Sequence, residues 1–328
     1  MNTANAEAPE KAGWRVRLDD IHLRNAIVYL AFIAILLFFS VVLRDRGFLT
    51  TANLLNIIRQ TAPVTIMAVG MTFTLSAGEI DLSIGSTVAL SALVAAVLLR
   101  DQGFVAGVVG ALVVGLVVGL FNGLLTVKVR IPSFLVTLGS LGIVSGLART
   151  LTDLQSVPVR HEAFIAIFGG GNVGPVSTLV IWTVVAMIVG HAVLHNLRFG
   201  RHVLATGGQR KTARYVGINT DRIRIAVLVI SAMTASLAGL LYTGRLAGAR
   251  YTLGEADLLT VIAAVIIGGT SLFGGRGSVV GAVVGSIIMG MLNNGLILMG
   301  LEVAEQMIAR GIIIILAVAL SLREPQNA

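Results

Sequence analysis

The chain has 328 residues, of which 56% are hydrophobic and 12% charged, and its mean hydropathy is +0.92. A soluble domain carries about 25% charged residues, because a folded surface must meet water; this composition excludes an ordinary soluble enzyme and makes lipid the solvent. The absence of cysteine removes disulfides and thiolate chemistry, and the formal net charge of +8 reads as basic residues gathered on one membrane face, not as a nucleic-acid footprint.

In chain order, residues 1–25 form a polar segment with Lys11, Arg15, Arg17 and Arg24. The apolar run 26–43 is long for a signal-peptide core, and Arg44-Asp45-Arg46 follows in place of a small-residue cleavage site. It therefore reads as an uncleaved first span. A span takes about 20 apolar residues. Nine more candidates follow at 53–77, 83–99, 104–126, 131–151, 175–195, 223–244, 258–273, 278–300 and 307–322. Those at 83–99 and 258–273 are short and flanked by glycine-rich turns. The expected architecture is an all-α polytopic membrane protein with about ten spans, a single transmembrane domain over 26–322 and a tail at 323–328.

Ten spans place both termini on one face. With the N-terminus cytoplasmic, the inner segments hold fifteen Lys and Arg, among them Lys128, Arg130 and the seven from Arg198 to Arg224, and the outer loops hold seven. That bias puts both termini inside. Two loops are long enough to expect work from them: 152–174 outside, and 196–222 inside, the most basic stretch of the chain.

Three segments have chemistry. In 78–86, Glu79 and Asp81 lie between apolar spans, where charge is expensive and commonly functional; Asp81 or Ser83 can equally cap the next helix. In 268–278, five glycines resemble a phosphate cradle but lack the Lys-Ser/Thr ending of a P-loop, so the segment reads as an irregular helix connection inside protein. The basic loop makes a poor anionic-lipid anchor alone and reads as a docking helix for a cytoplasmic partner. Arg59-Gln60 is expected at an outer helix end. His191 and His195 lack the ligands to complete a metal site. Glycine ladders at 115/119/123 and 277/281/285, each with an Asn-Gly-Leu near its end, hint at an internal repeat and at close helix packing. No nucleophile-base pair or metal-ligand set is present, so no catalytic residue, cofactor or metal is assigned.

Taken together, four ordered stretches resemble the permease subunits of bacterial ABC sugar importers, the group serving ribose, xylose, arabinose and galactose. They are 78–86, Asn122-Gly123 leading into 130–139, the loop 200–218, and 262–278. The resemblance implies a homodimeric or pseudo-dimeric inner-membrane channel, a cytoplasmic ATPase on the inner loop and a periplasmic solute-binding protein outside. ATP would be used by the partner and not bound by this chain; lipid would surround it, and nucleic acid has no part. Expected coupling residues are Gly200, Arg201, Gly207, Gly208, Ala213, Arg214 and Gly217. Expected path or gating residues are Gly78, Glu79, Asp81, Ser83, Asn122, Pro132, Phe134 and Thr137, with Gly268, Gly269, Thr270, Gly274, Gly275 and Asn294 beyond. Glu79 stands where such permeases usually have glycine, Gln209 where they have Asn, and Leu258, after Asp257, where they often have Glu. Alternatives are a permease for nucleosides, branched-chain amino acids or a furanosyl signal, or an ion-coupled transporter using Glu79 and Asp81.

Overall fold

The computed structural model describes residues 15–321; residues 1–14 of the N-terminal segment and the tail at 323–328 lie outside the described residues. Its helices are α1 (Arg15–Val42), α2 (Thr51–Ser76), α3 (Ile84–Asp101), α4 (Phe104–Leu124), α5 (Ser133–Leu151), α6 (Glu162–Phe168) and α7 (Thr178–His191). They continue with α8 (Arg198–Gly208), α9 (Arg210–Tyr215), α10 (Thr220–Leu246), α11 (Asp257–Ile267), α12 (Val279–Leu298) and α13 (Val303–Ser321).

Seven of these, α2, α3, α4, α5, α7, α10 and α12, are long and apolar enough to cross a membrane, with α4 and α7 each extended by a π turn. Val28–Val42 and α11 are shorter apolar helices. The run 258–273 is therefore not one continuous span. α11 has 11 residues, a rise of about 16 Å, and it stops at Gly268-Gly269, where Gly269 takes φ +86°. The chain then runs irregularly to α12. At the start, α1 begins at Arg15, well before its apolar stretch.

α2 and α10 form the centre. Every residue of α2 from Thr61 to Ser76 is buried, and α10 packs on α2, α3 and α4. The hydroxyls inside this core bond back to the preceding turn, as Thr65 and Thr72 do, or join helices in pairs, as Thr65 with Ser286 and Ser91 with Ser236, both at 2.7 Å. The glycine ladder of α4 faces α10: a Cβ on Gly115 would fall 2.3 Å from Ser236 Oγ, and one on Gly119 2.6 Å from Val229 Cα. The ladder of α12 packs elsewhere, with Gly281 and Gly285 against the backbone of Gly268 and Ala264. Absent side chains set both helix distances.

The register fixes the ends of the bundle. Gly123 of α4 meets Ile225 of α10, and Thr74 of α2 donates to the Val227 carbonyl. The C-termini of α2 and α4, the N-terminus of α10 and the basic loop therefore share one end. At the other end, the 152–177 connection folds into α6 and short strands. There Val157–Pro158 (β1) pairs antiparallel with Gly248–Ala249 (β4), and Asn172–Val173 (β2) with Val176–Ser177 (β3). Phe164 and Phe168 of α6 anchor it against Phe104, and Phe168 stacks on Trp182. Arg245 donates to the Gln60 carbonyl at that same end, so Arg59-Gln60 lies toward the end opposite the basic loop.

Candidate functional site at the junction of two broken helices and the basic loop

α2 ends at Ser76, and Gly78 turns the chain with φ +74°. Residues 79–83 then run without helix until α3 starts at Ile84. Unpaired backbone surrounded by helices is costly, and α5 supplies the missing partners from its side chains. Ile80 N–H donates to Ser133 Oγ at 3.1 Å, and Leu82 N–H donates to Thr137 Oγ1 at 3.0 Å. Two hydroxyls one turn apart thus act as a neighbouring strand would.

Asp81 is fully buried and opens α3: its Oδ1 accepts from Ser83 N–H at 2.9 Å and from Ser83 Oγ at 2.6 Å. Ser83 holds the N-cap position but makes no side-chain cap bond to the helix, and Asp81 folds the turn before it by bonding Ser83. The polar chain continues inward. Asn122 Nδ2 donates to Ser83 Oγ at 2.9 Å, and Ser140 Oγ donates to Asn122 Oδ1 at 2.5 Å. Asp81, Ser83, Asn122 and Thr137 are thus brought together, tying α3, α4 and α5 to the broken segment. Ser231 of α10 faces the same carboxylate, yet Asp81 Oδ2 and Ser231 Oγ complete no hydrogen bond.

Glu79 points the other way, toward the basic loop. It is 2% exposed. It accepts from Arg210, the first residue of α9, at 2.6 Å, and from Arg224 Nε in the second turn of α10. Burial lowers the Arg210 pKa from its ordinary value; Glu79 opposes that shift, and Arg224 and Arg214 add to it. Arg214 bonds Thr220 Oγ1 at 2.7 Å and pairs with Asp221, fastening α9 to α10. Among the described residues Arg201 reaches only the Asn196 carbonyl, and it is exposed.

α8 ends in Gly207-Gly208, wedged between both broken connections. A Cβ on Gly207 would fall 1.9 Å from the Ser76 carbonyl oxygen and 2.7 Å from Gly275 N. Gly275 N–H itself donates to that carbonyl at 2.9 Å. Gly274 and Gly275 take φ +88° and +78° and press on the Gly207-Gly208 backbone. Thr270 is buried and accepts from Ser278 N–H at 3.3 Å, closing the glycine-rich connection. Gly200 lets the start of α8 fold onto the Leu194 carbonyl, Ala213 is buried, and Gly217 leaves α9 with φ +86°. The three segments singled out in the sequence therefore meet at one place.

Other expected residues lie apart. Asn294 sits at the opposite end, exchanging amide bonds with Asn53 at 2.9 and 3.0 Å. Gly268 packs on Gly281. Pro132 begins α5 and Phe134 is 46% exposed; both line the cavity beside Glu79 but not the polar chain. Sequence reasoning did not single out Ser133, Ser140, Arg210 and Arg224. Among the described residues no group of His, Asp and Glu is arranged to hold a metal, and His191 and His195 stack with centroids 4.5 Å apart.

Residues 53–318 match the family described as branched-chain amino acid transport system / permease component. The chain belongs to this permease family. It is 36% identical over 326 residues to the ribose import permease protein RbsC of Bacillus subtilis (strain 168), covering 99% of each chain. It is 33% identical over 280 residues to the D-allose transport system permease protein AlsC of Escherichia coli (strain K12), covering 85% of this chain and 86% of that one. The L-arabinose ABC transporter permease protein AraH of Azospirillum brasilense is 33% identical over 286 residues, 87% of this chain and 84% of AraH. No solved structure gives a significant match. This permease is thus a multi-pass transport component and not an enzyme.

Proposed function

We propose that this permease forms the membrane path for a monosaccharide in an ATP-driven importer of the bacterial inner membrane. The sugar would be delivered by a periplasmic binding protein, and a separate cytoplasmic ATPase would power the cycle. Permeases named for ribose, allose and arabinose are its relatives over most of its length, which favours a sugar over the amino acids in the family's name. ABC permeases of this kind work with an ATPase and a binding protein. A second copy or a paralogous permease would complete the path.

The observation that carries the mechanism is the seat of α8. The exposed, basic α8–α9 pair is the surface an ATPase would grip. Its Gly207 touches the ends of both broken connections through backbone alone, and Arg210 reaches Glu79. Displacement of this loop on ATP binding would move 78–83 and 268–277 together, and with them the starts of α3 and α12. Gly78, Glu79, Asp81, Ser83, Asn122 and Thr137 would act as the gate so moved. Glu79, held by two guanidinium groups, is poorly placed as an ion relay, which weighs against ion-coupled transport.

The test is uptake in proteoliposomes holding the permease, its ATPase and its binding protein. The expected result is ATP-dependent uptake of labelled ribose, allose or arabinose. Uptake of leucine or a nucleoside in their place, or uptake driven by an ion gradient without ATP, would overturn the proposal.

A further inference from the structure

Beside Glu79 lies a cavity of about 1000 Å³, walled by the α4–α5 connection on one side and by α9 and the start of α10 on the other. Six cationic side chains line it, Lys128, Arg130, Arg210, Arg214, Arg222 and Arg224, against two carboxylates, Glu79 and Asp221. The carboxylates are already taken, by Arg210, Arg224 and Arg214. Lys128, Arg130 and Arg222 are exposed and, among the described residues, have no ion pair or side-chain hydrogen bond. The excess charge thus comes from two separate connections facing one space, which the basic loop alone does not achieve.

A second, independent feature marks the same wall. Thr126 is completely buried, lines the cavity, and its Oγ1 has no hydrogen-bond partner. A buried hydroxyl without a partner is costly, and an acceptor entering the cavity would relieve it. The rim is apolar on one side. Phe134 lines the cavity and is nearly half exposed, and the bare face of α5 continues from it through Leu135 and Leu138. A cationic pocket opening onto an aliphatic helix face fits a molecule with an anionic head and a hydrocarbon tail.

We infer that this cavity binds the phosphodiester head of an anionic phospholipid, held by Lys128, Arg130 and Arg222 with Thr126 donating to a phosphate oxygen, while an acyl chain lies along α5. The cavity shares Gly78, Glu79 and Arg210 with the seat of α8, but Lys128, Arg130 and Arg222 take no part in that seat, and the inference does not depend on the identity of the sugar or on the ATPase.

Native mass spectrometry of the purified permease with added phosphatidylglycerol or phosphatidylcholine tests it, with the triple variant Lys128→Gln/Arg130→Gln/Arg222→Gln and the far-end control Arg160→Gln. The wild type and the control should retain phosphatidylglycerol over phosphatidylcholine. The triple variant should lose that preference on the order of a hundredfold, with an unchanged melting temperature because the three side chains are exposed and unpaired. Thr126→Val, nearly isosteric, should weaken retention several-fold by itself. Undiminished retention in the triple variant would overturn the assignment. Displacement of the lipid by inorganic phosphate at equal concentration would also overturn it, as a small-anion site. A triple variant that keeps the lipid but no longer assembles with the ATPase would overturn it in favour of an acidic protein surface, and leaves the importer reading standing.

Discussion

Glu79 carries the sharpest consequence at the scale of single residues. Its buried carboxylate joins Arg210 and Arg224. Removing one partner of a buried pair leaves uncompensated charge, although Arg210 is 39% exposed and recovers part of its hydration. Glu79→Gln is expected to lower stability by about 2 kcal/mol, measured as thermal unfolding in detergent. Adding Arg210→Gln should cost less in that background than in the wild type; strict additivity would show that the pair does not interact. Asn122 bridges Ser83 and Ser140, and Ser140 Oγ donates to its side-chain carbonyl, while Ser83 Oγ also bonds Asp81. Asn122→Leu should therefore destabilise by ~1–3 kcal/mol and impair uptake more than Asn294→Leu, whose pairing lies at the far end. Glu79 and Asp81 were legible in the sequence because charge is rare in this chain. The partners of Glu79 were not, since Arg210 and Arg224 are 131 and 145 positions from it and look like any other residues of a basic loop.

Among the elements, α8 makes the clearest distinction between neighbouring positions. Gly207 has the Ser76 carbonyl 1.9 Å from where a Cβ would stand, whereas a Cβ on Gly208 would meet only Gly275 Cα at 3.7 Å. Gly207→Ala should abolish ATP-driven uptake while membrane insertion persists, and Gly208→Ala should transport nearly as the wild type. Equal uptake by the two variants would remove α8 from the gate. The sequence signalled both glycines and the docking character of the loop, but two adjacent glycines carry no sign of which one touches backbone. It also signalled 258–273 as apolar without revealing that only 257–267 is helical. Length of an apolar run distinguishes a span from a loop poorly once glycine-rich, protein-buried backbone replaces helix. The helices α2, α4, α5, α7, α10 and α12 were legible because each is long and continuous.

The molecule as a whole gathers its excess of basic residues at one end, and this sets its expected orientation. The chain has no cysteine, so a single introduced thiol reports without background. A membrane-impermeant maleimide should label Arg160→Cys in intact cells and Gln209→Cys only after permeabilisation, both positions being exposed; the reverse pattern would invert the topology. The contact of α8 with the two broken connections has a further meaning for the mechanics of the assembly. Where side chains meet, rotamers shift and absorb a small push before anything else moves. At Gly207 main chain rests on main chain, so there is no rotamer to yield. On the proposed mechanism a load applied to the basic loop would be delivered without slack, and the distance the loop travels would set the distance the gate travels.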